Sequence, residues 1–122
     1  MKPKILIVDD EEDVREYLTR LLARRNFKTI SASSGKECLK TAAQERPDLI
    51  LLDILMPEMN GYTVLASLRS DEATQGIPVI MLTAKRESDS IFESMNLGST
   101  DYLMKPINNE VLLRTIRRYV ET

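Results

Sequence analysis

Histidine is absent from this 122-residue chain and cysteine occurs once. Without histidine there are no imidazole zinc sites of the usual kind, no Ser-His triads and no imidazole general bases. The single cysteine, Cys38, can pair with nothing inside the chain, so there is no disulfide framework and a reducing, cytoplasmic setting is expected. It lies among apolar helix positions and reads as a small buried hydrophobe. Basic excess is missing as well: the net charge of -2 argues against nucleic acid as the main partner, because phosphate binding requires a concentrated basic face. Arg114, Arg117 and Arg118 on the last helix read as a solvated or partner-facing surface. No apolar run approaches the ~20 residues of a membrane span. The start, Met1-Lys2-Pro3-Lys4, runs into a short strand and then five acidic residues, so neither a signal peptide nor a membrane anchor is expected. Linkers, repeats and low-complexity segments are also lacking, and residues 1–122 are expected to form one domain.

What is present is an ordinary globular composition, 43% hydrophobic and 30% charged. Short apolar runs alternate with amphipathic stretches, the pattern of βα units around a parallel sheet. Strands are expected at Lys4 to Val8, Lys28 to Ser31, Leu49 to Leu52, Val79 to Leu82 and Tyr102 to Met104. The first, third and fourth are nearly continuous apolar runs, as in strands covered on both faces. In the first helix Val14, Tyr17, Leu18, Leu21 and Leu22 recur at helical spacing and define one buried face. A second helix over Gly35 to Glu45 buries Cys38, Leu39, Ala42 and Ala43, and Pro47 stops it. A third follows Gly61, with Val64, Leu65 and Leu68 inward, before a loop at Gly76 and Pro78. The fourth is expected over Ser88 to Asn96, with a narrow apolar face at Ile91 and Met95 and with Gly98 as its left-handed C-cap. The last, Asn109 to Val120, packs Val111, Leu112, Thr115, Ile116 and Tyr119 on the sheet.

The polar groups of interest all follow strands: Asp9-Asp10 the first, Asp53 the third, Thr83-Ala84 the fourth and Lys105-Pro106 the fifth. In an open α/β sheet those strand ends border the ligand crevice. Three carboxylates gathered there raise at least one pKa unless a hard divalent cation neutralises them. Joined by a hydroxyl and an ammonium, they form a clamp for a tetrahedral, doubly charged oxyanion. With no general base at hand, the clamp suits capture of a phosphoryl group on a carboxylate. Lys105 and one Mg²⁺ balance the three acids, and a phosphoryl group on Asp53 would leave the pocket near -1. Mg²⁺ dependence of both formation and loss is therefore expected. A plainer reading also fits the acidic run from Asp9 to Asp13, which complements the positive end of the first helix at about 0.3–1 kcal/mol per charge. Asp53 is harder to explain in that way, since an aspartate between two apolar runs is excluded unless it is paired or bound to metal.

Asp9-Asp10, the run Asp53-Ile54-Leu55-Met56-Pro57-Glu58-Met59-Asn60-Gly61, Thr83-Ala84, Gly98, and Tyr102 with Lys105-Pro106 resemble the response-regulator receiver domain of two-component signalling. The likeness covers essentially the whole chain, in order and in spacing. It implies a flavodoxin-like, doubly wound α/β fold, with a five-stranded parallel sheet in the order 2-1-3-4-5 and five helices on both faces. It also implies that Asp53 is the phosphoacceptor. Mg²⁺ would be held by Asp10, Asp53 and the main-chain carbonyl of Leu55, with Asp9 acting largely through a bound water. Thr83 and Lys105 would bind phosphoryl oxygens, and small Ala84 would keep the approach open. Tyr102 would be an aromatic switch that turns inward as Thr83 moves, and Lys105-Pro106 would be joined by a cis peptide. The implied donor is a phosphohistidine of a sensor histidine kinase or a histidine phosphotransfer protein. The implied output is a changed partner-binding surface on the fourth helix, fifth strand and fifth helix, with no turnover of external substrates.

Two positions known in the family to tune phosphoryl lifetime are Leu55 and Lys85 here. Bulky, apolar Leu55 hinders an attacking water without orienting it, so a comparatively long-lived acyl phosphate is expected. Val111 and Thr115 stand where transcription-factor members of the best-known subfamily usually carry an acid and an arginine that pair between subunits. Their style of dimer is therefore not expected, while a phosphorylation-dependent homodimer using Asp101 and Arg117 stays open. Because the sequence ends with the last helix, the chain is expected to act alone on a partner or to be an excised domain. Three rival readings are a degenerate receiver used as a scaffold, a small flavin-binding electron carrier and an aspartyl-nucleophile phosphatase. The acids from Asp9 to Asp13 would repel a flavin phosphate. The phosphatase acceptor would follow the first strand with a second aspartate two residues on, whereas Glu11 stands there.

Overall fold

The computed structural model describes residues 2–83 and 98–120. Five strands, β1 (Lys4–Val8), β2 (Lys28–Ala32), β3 (Leu49–Asp53), β4 (Val79–Thr83) and β5 (Asp101–Met104), pair in parallel in the order β2-β1-β3-β4-β5. Four helices lie among the described residues: α1 (Glu12–Ala23), α2 (Gly35–Glu45), α3 (Gly61–Ser70) and α4 (Asn109–Tyr119). The expectation of five is thus met by four here, since the helix expected over Ser88 to Asn96, with Ile91 and Met95, lies outside the described residues. Gly98 has the left-handed conformation expected of it, φ +95.

Strand residues alternate between two cores. Leu6, Val8, Ile50, Leu52, Val79 and Met81 face α2 and α3, meeting Cys38, Ala42, Val64, Leu65 and Leu68. Ile5, Ile7, Leu49, Leu51, Ile80 and Leu82 face the other way, against Leu18 and Leu22 of α1 and Leu112, Leu113 and Ile116 of α4. This alternation explains why β1, β3 and β4 read as unbroken apolar runs: both sides of each strand are buried, at roughly 1.5–3 kcal/mol for each large side chain. The Cys38 thiol is fully buried, which pushes its pKa up to about 12.

Helix starts are fixed locally. Ser34 Oγ accepts from the Glu37 N–H at 3.1 Å while Glu37 Oε1 accepts from the Ser33 N–H at 2.7 Å, a reciprocal capping pair. Asn60 and Asn108 cap α3 and α4 in the same way, accepting from Thr63 N–H at 3.0 Å and Val111 N–H at 3.1 Å. Two expected core residues lie outside the core. Tyr17 is 50% exposed, with its hydroxyl donating to Asn109 Oδ1 at 2.7 Å across the gap between α1 and α4. Val111 is 39% exposed in the first turn of α4, and Leu113 is buried in that helix instead. Leu39 and Ala43 are half-buried.

Strand ends also differ from the sequence reading. β3 and β4 each run one residue further than expected, so Asp53 and Thr83 belong to the ladder, paired with Leu82 and Met104. Hydropathy marks where apolar side chains stop, whereas the ladder is made by the backbone and continues through a polar residue.

Candidate functional site

β1 and β3 are neighbours, with Val8 opposite Leu52, so the residues that follow, Asp9 and Asp53, emerge side by side at one sheet edge. One carboxylate oxygen from each of Asp9, Asp10 and Asp53 lies within 4.8 Å of the others. Asp9 is fully buried and heavily tied. Its Oδ1 accepts from the Glu11 N–H at 2.9 Å, its carbonyl accepts from Arg15 Nη1 at 2.7 Å, and its own N–H donates to the Ala32 carbonyl at 3.2 Å. Asp10, by contrast, is exposed.

Lys105 comes from the opposite side. It follows β5, its N–H donates to the Thr83 carbonyl at 2.6 Å, and its peptide bond to Pro106 is cis, as the resemblance implies. The Lys105 ammonium then donates to Asp53 Oδ1 at 3.2 Å and to Asp9 Oδ2 at 3.3 Å. One cation therefore bridges acids from two strands.

The electrostatics are those of an undercompensated acidic cluster. Burial, reinforced by Asp9 and to a lesser extent Asp10, pushes the Asp53 carboxyl up to about 6, and Lys105 only partly opposes this. Burial works to lower the Lys105 pKa, but the two carboxylates outweigh it and the ammonium is held above its usual range. Further positive charge is what these groups lack. Three close carboxylate oxygens of hard character, one of them solvent-facing, fit a Mg²⁺ ion that keeps several waters.

The remaining candidate residues are spread around this pair. Thr83 is buried at the end of β4, one residue beyond Leu82, whose carbonyl accepts from the Ile54 N–H at 3.0 Å. Leu55 directs its side chain outward and is 57% exposed. Tyr102 is half-buried and packs against the core beneath α2 and α3. Ala84 and Lys85 lie outside the described residues. The sequence reading missed Arg15, which clamps the Asp9 main chain. A basic residue one turn into a helix that follows an acidic pair was its only signal. Within the chain, Asp101 accepts from Arg118 Nη1 at 3.4 Å and from the Tyr119 hydroxyl at 2.8 Å.

A family model described as the response regulator receiver domain matches residues 5–117. The chain belongs to this family. Receiver domains are modules of two-component response regulators; they bind Mg²⁺ at an acidic pocket and imply a sensor histidine kinase as partner. Protein PilH of Pseudomonas aeruginosa is 40% identical over 114 residues, 93% of each chain. The DNA-binding response regulator MtrA of Mycobacterium tuberculosis is 38% identical over 117 residues, which cover 96% of this chain and 50% of MtrA. The present receiver domain thus spans about half the length of such relatives. Among solved structures, Vibrio cholerae chemotaxis protein CheY4 superposes with a TM-score of 0.93 at 31% identity, over 98% of this chain and 100% of that one. The flavodoxin-like sheet order is shared with such neighbours.

Proposed function

We propose that this receiver domain is a phosphorylation-dependent switch in which Asp53 accepts a phosphoryl group from a phosphohistidine. The observation that carries the reading is the Lys105 ammonium bridging Asp53 and Asp9 inside the acidic cluster. A Asp53 carboxylate oxygen attacks phosphorus, the O–P bond forms as the P–N bond breaks, and the departing imidazole nitrogen keeps the electron pair and takes a proton from solvent. A bound Mg²⁺, held by Asp10, Asp53 and the Leu55 carbonyl with Asp9 behind a water, would supply charge neutralisation for the equatorial oxygens. Lys105 is already within hydrogen-bond reach of the acceptor and would follow the transferred oxygens. Thr83 would offer its hydroxyl to the same group, and Tyr102 would respond to that movement. The chain has no histidine to serve as a general base, so turnover of external esters is not expected.

The donor would be a helix of a sensor kinase or a histidine phosphotransfer protein. An apolar cleft of about 270 Å³ beside Lys105, lined by Val14, Tyr17, Leu18, Pro106 and Ile107, supports docking of such a helix. The output would be a changed surface on 88–96, β5 and α4, presented to a downstream protein or to a second copy. A purely scaffolding receiver would have no need of the assembled acid and lysine set. The single-domain, cytoplasmic reading rests on the uniform βα alternation and the lone unpaired cysteine.

The test is incubation with a small phosphodonor and Mg²⁺ followed by intact mass. One added phosphoryl group in the wild type, none in Asp53→Asn and none after chelation is the expected result. Labelling of Asp53→Asn at the wild-type rate would overturn the assignment.

A further inference from the structure

Gly61, the first residue of α3, occupies a place where any side chain would meet backbone. A Cβ built there lies 2.7 Å from Ile54 Cα and 2.8 Å from the Asp53 carbonyl oxygen. Neither atom can rotate aside. The Gly61 N–H donates to the Ile54 carbonyl at 2.7 Å, and the Ile54 N–H donates to the Leu82 carbonyl at 3.0 Å, so the exit of β3 is gripped from both sides. The helix side of this contact is fixed too, by the Asn60 cap and by buried Val64, Leu65 and Leu68. The bare face of Gly61 and the main chain of Asp53 and Ile54 therefore act as one joint.

We infer that Gly61 is a positioning residue for the phosphoacceptor: its missing side chain lets α3 abut the Asp53 backbone and fixes where the Asp53 carboxylate stands relative to Lys105 and the acids of β1. The inference rests on the reading of Asp53 given above. A methyl group at this position needs about 0.6 Å more room against the Asp53 carbonyl to reach ordinary contact at 3.4 Å. Sites of this kind tolerate roughly 0.5 Å of misplacement, and about 1 Å costs on the order of 100-fold. The carboxylate, carried on the moving backbone, is displaced by a comparable amount.

Gly35 supplies the control. A Cβ there would be 2.6 Å from Val64 Cγ2 and 3.0 Å from Met59 Sδ, both side-chain atoms on the α2–α3 seam. Gly35→Ala strains the same layer, but its nearest contacts are the side chains of Val64 and Met59 and not the backbone of Asp53 and Ile54.

The experiment measures three quantities for the wild type, Gly61→Ala and Gly35→Ala: Tm, Mg²⁺ affinity by calorimetry, and phosphorylation rate with a small phosphodonor at saturating Mg²⁺. Gly61→Ala is expected to weaken Mg²⁺ binding and to slow phosphorylation by about 10–100-fold. Gly35→Ala is expected to lower Tm while leaving both site readouts within about twofold of wild type. Equal site losses in the two variants, or wild-type values in Gly61→Ala, would overturn the inference. If Gly61→Ala does not fold, two helix-cap variants take its place. Asn60→Ala loosens the start of α3, whereas Asn108→Ala removes the matching cap of α4. A loss of Mg²⁺ affinity confined to Asn60→Ala supports the joint, and equal affinities reject it. A wild type that neither binds Mg²⁺ nor gains a phosphoryl group would sink the Asp53 reading and this inference together. A functional wild type with an indifferent Gly61→Ala sinks this inference alone.

Discussion

β3 is buried along its whole length, whereas every residue of β5 is partly or fully exposed, yet each strand leads to one member of the Asp53–Lys105 pair. Asp53 ends a strand that has β1 on one side and β4 on the other, with both faces under helices. Lys105 follows an edge strand, which is tied at its start by side chains: Thr100 Oγ1 accepts from the Val79 N–H at 3.0 Å, and the Tyr119 hydroxyl donates to Asp101 Oδ2 at 2.8 Å. Moving Asp53 would disturb two cores of fully buried side chains, while moving the lysine would disturb one edge ladder, the half-buried Tyr102 and Leu103, and a few polar contacts. The difference suits a switch in which the acid stays and the cation side follows the added charge. A shift from 1:99 to 99:1 needs only ~5.5 kcal/mol of differential stabilisation, a size that edge-strand contacts can respond to.

The sharpest way to break this contrast is to cut equal side chains from the two strands. Leu51→Ala in β3 is expected to cost about 3–4 kcal/mol, and Leu103→Ala in β5 about 1–2, measured by urea unfolding. Equal losses would mean that β5 is as firmly seated as β3.

Titration probes Asp53 itself. The folded-state Asp53 pKa of about 6 lies above its ordinary 3.8, so the folded protein holds a proton that the unfolded chain has released between those values. Stability from this group is present at low pH and is lost as pH rises through about 6. In Mg²⁺-free buffer at pH 7.5, Asp53→Asn is therefore expected to be more stable than wild type by up to about 3 kcal/mol, with the gap closing below pH 4. A constant gap across that range would refute the cause assigned to the shift. Added Mg²⁺ should stabilise the wild type and leave Asp53→Asn less affected.

A smaller effect is expected at the edge. Tyr119→Phe removes the hydrogen bond to Asp101 and should cost about 1 kcal/mol, with a higher phosphorylation rate if release of β5 assists switching. Finally, Leu55→Asn should shorten the lifetime of the acyl phosphate, followed by mass after donor removal. An unchanged or longer lifetime would remove the role given to that side chain.

Much of this architecture could be read from residues alone. The apolar runs of β1, β3 and β4 and the span Gly35 to Glu45 follow from burial on two faces, from helical spacing and from Pro47 as a stop. The meeting of Asp9, Asp10 and Asp53 follows once β1 and β3 are parallel neighbours, and Lys105 reaches them from two strands away through its long side chain; the neighbour order comes from family likeness, because alternation does not encode it. Which of two adjacent aspartates is buried depends on strand direction at the edge, and nothing in Asp9-Asp10 as a pair reveals that Asp9 is enclosed while Asp10 faces solvent. Tyr17 and Val111 were misjudged because helical spacing marks a stripe and not its margins: Tyr17 spans outward to Asn109, and Val111 sits in a capped first turn beside open solvent. Gly61 is silent in any hydropathy pattern, since its contribution is the space it leaves.

The enclosed thiol on α2 has a practical consequence. Alkylating reagents react with thiolate, and a pKa near 12 leaves almost none at neutral pH in the native state, whereas the unfolded chain returns to about 9. As the chain has one cysteine, the rate of labelling reports how often the seam between α2 and the sheet stands open. Residue 38 is thus a built-in stopwatch: timed labelling with and without phosphodonor would measure whether events at the acidic site loosen or tighten the layer under α2.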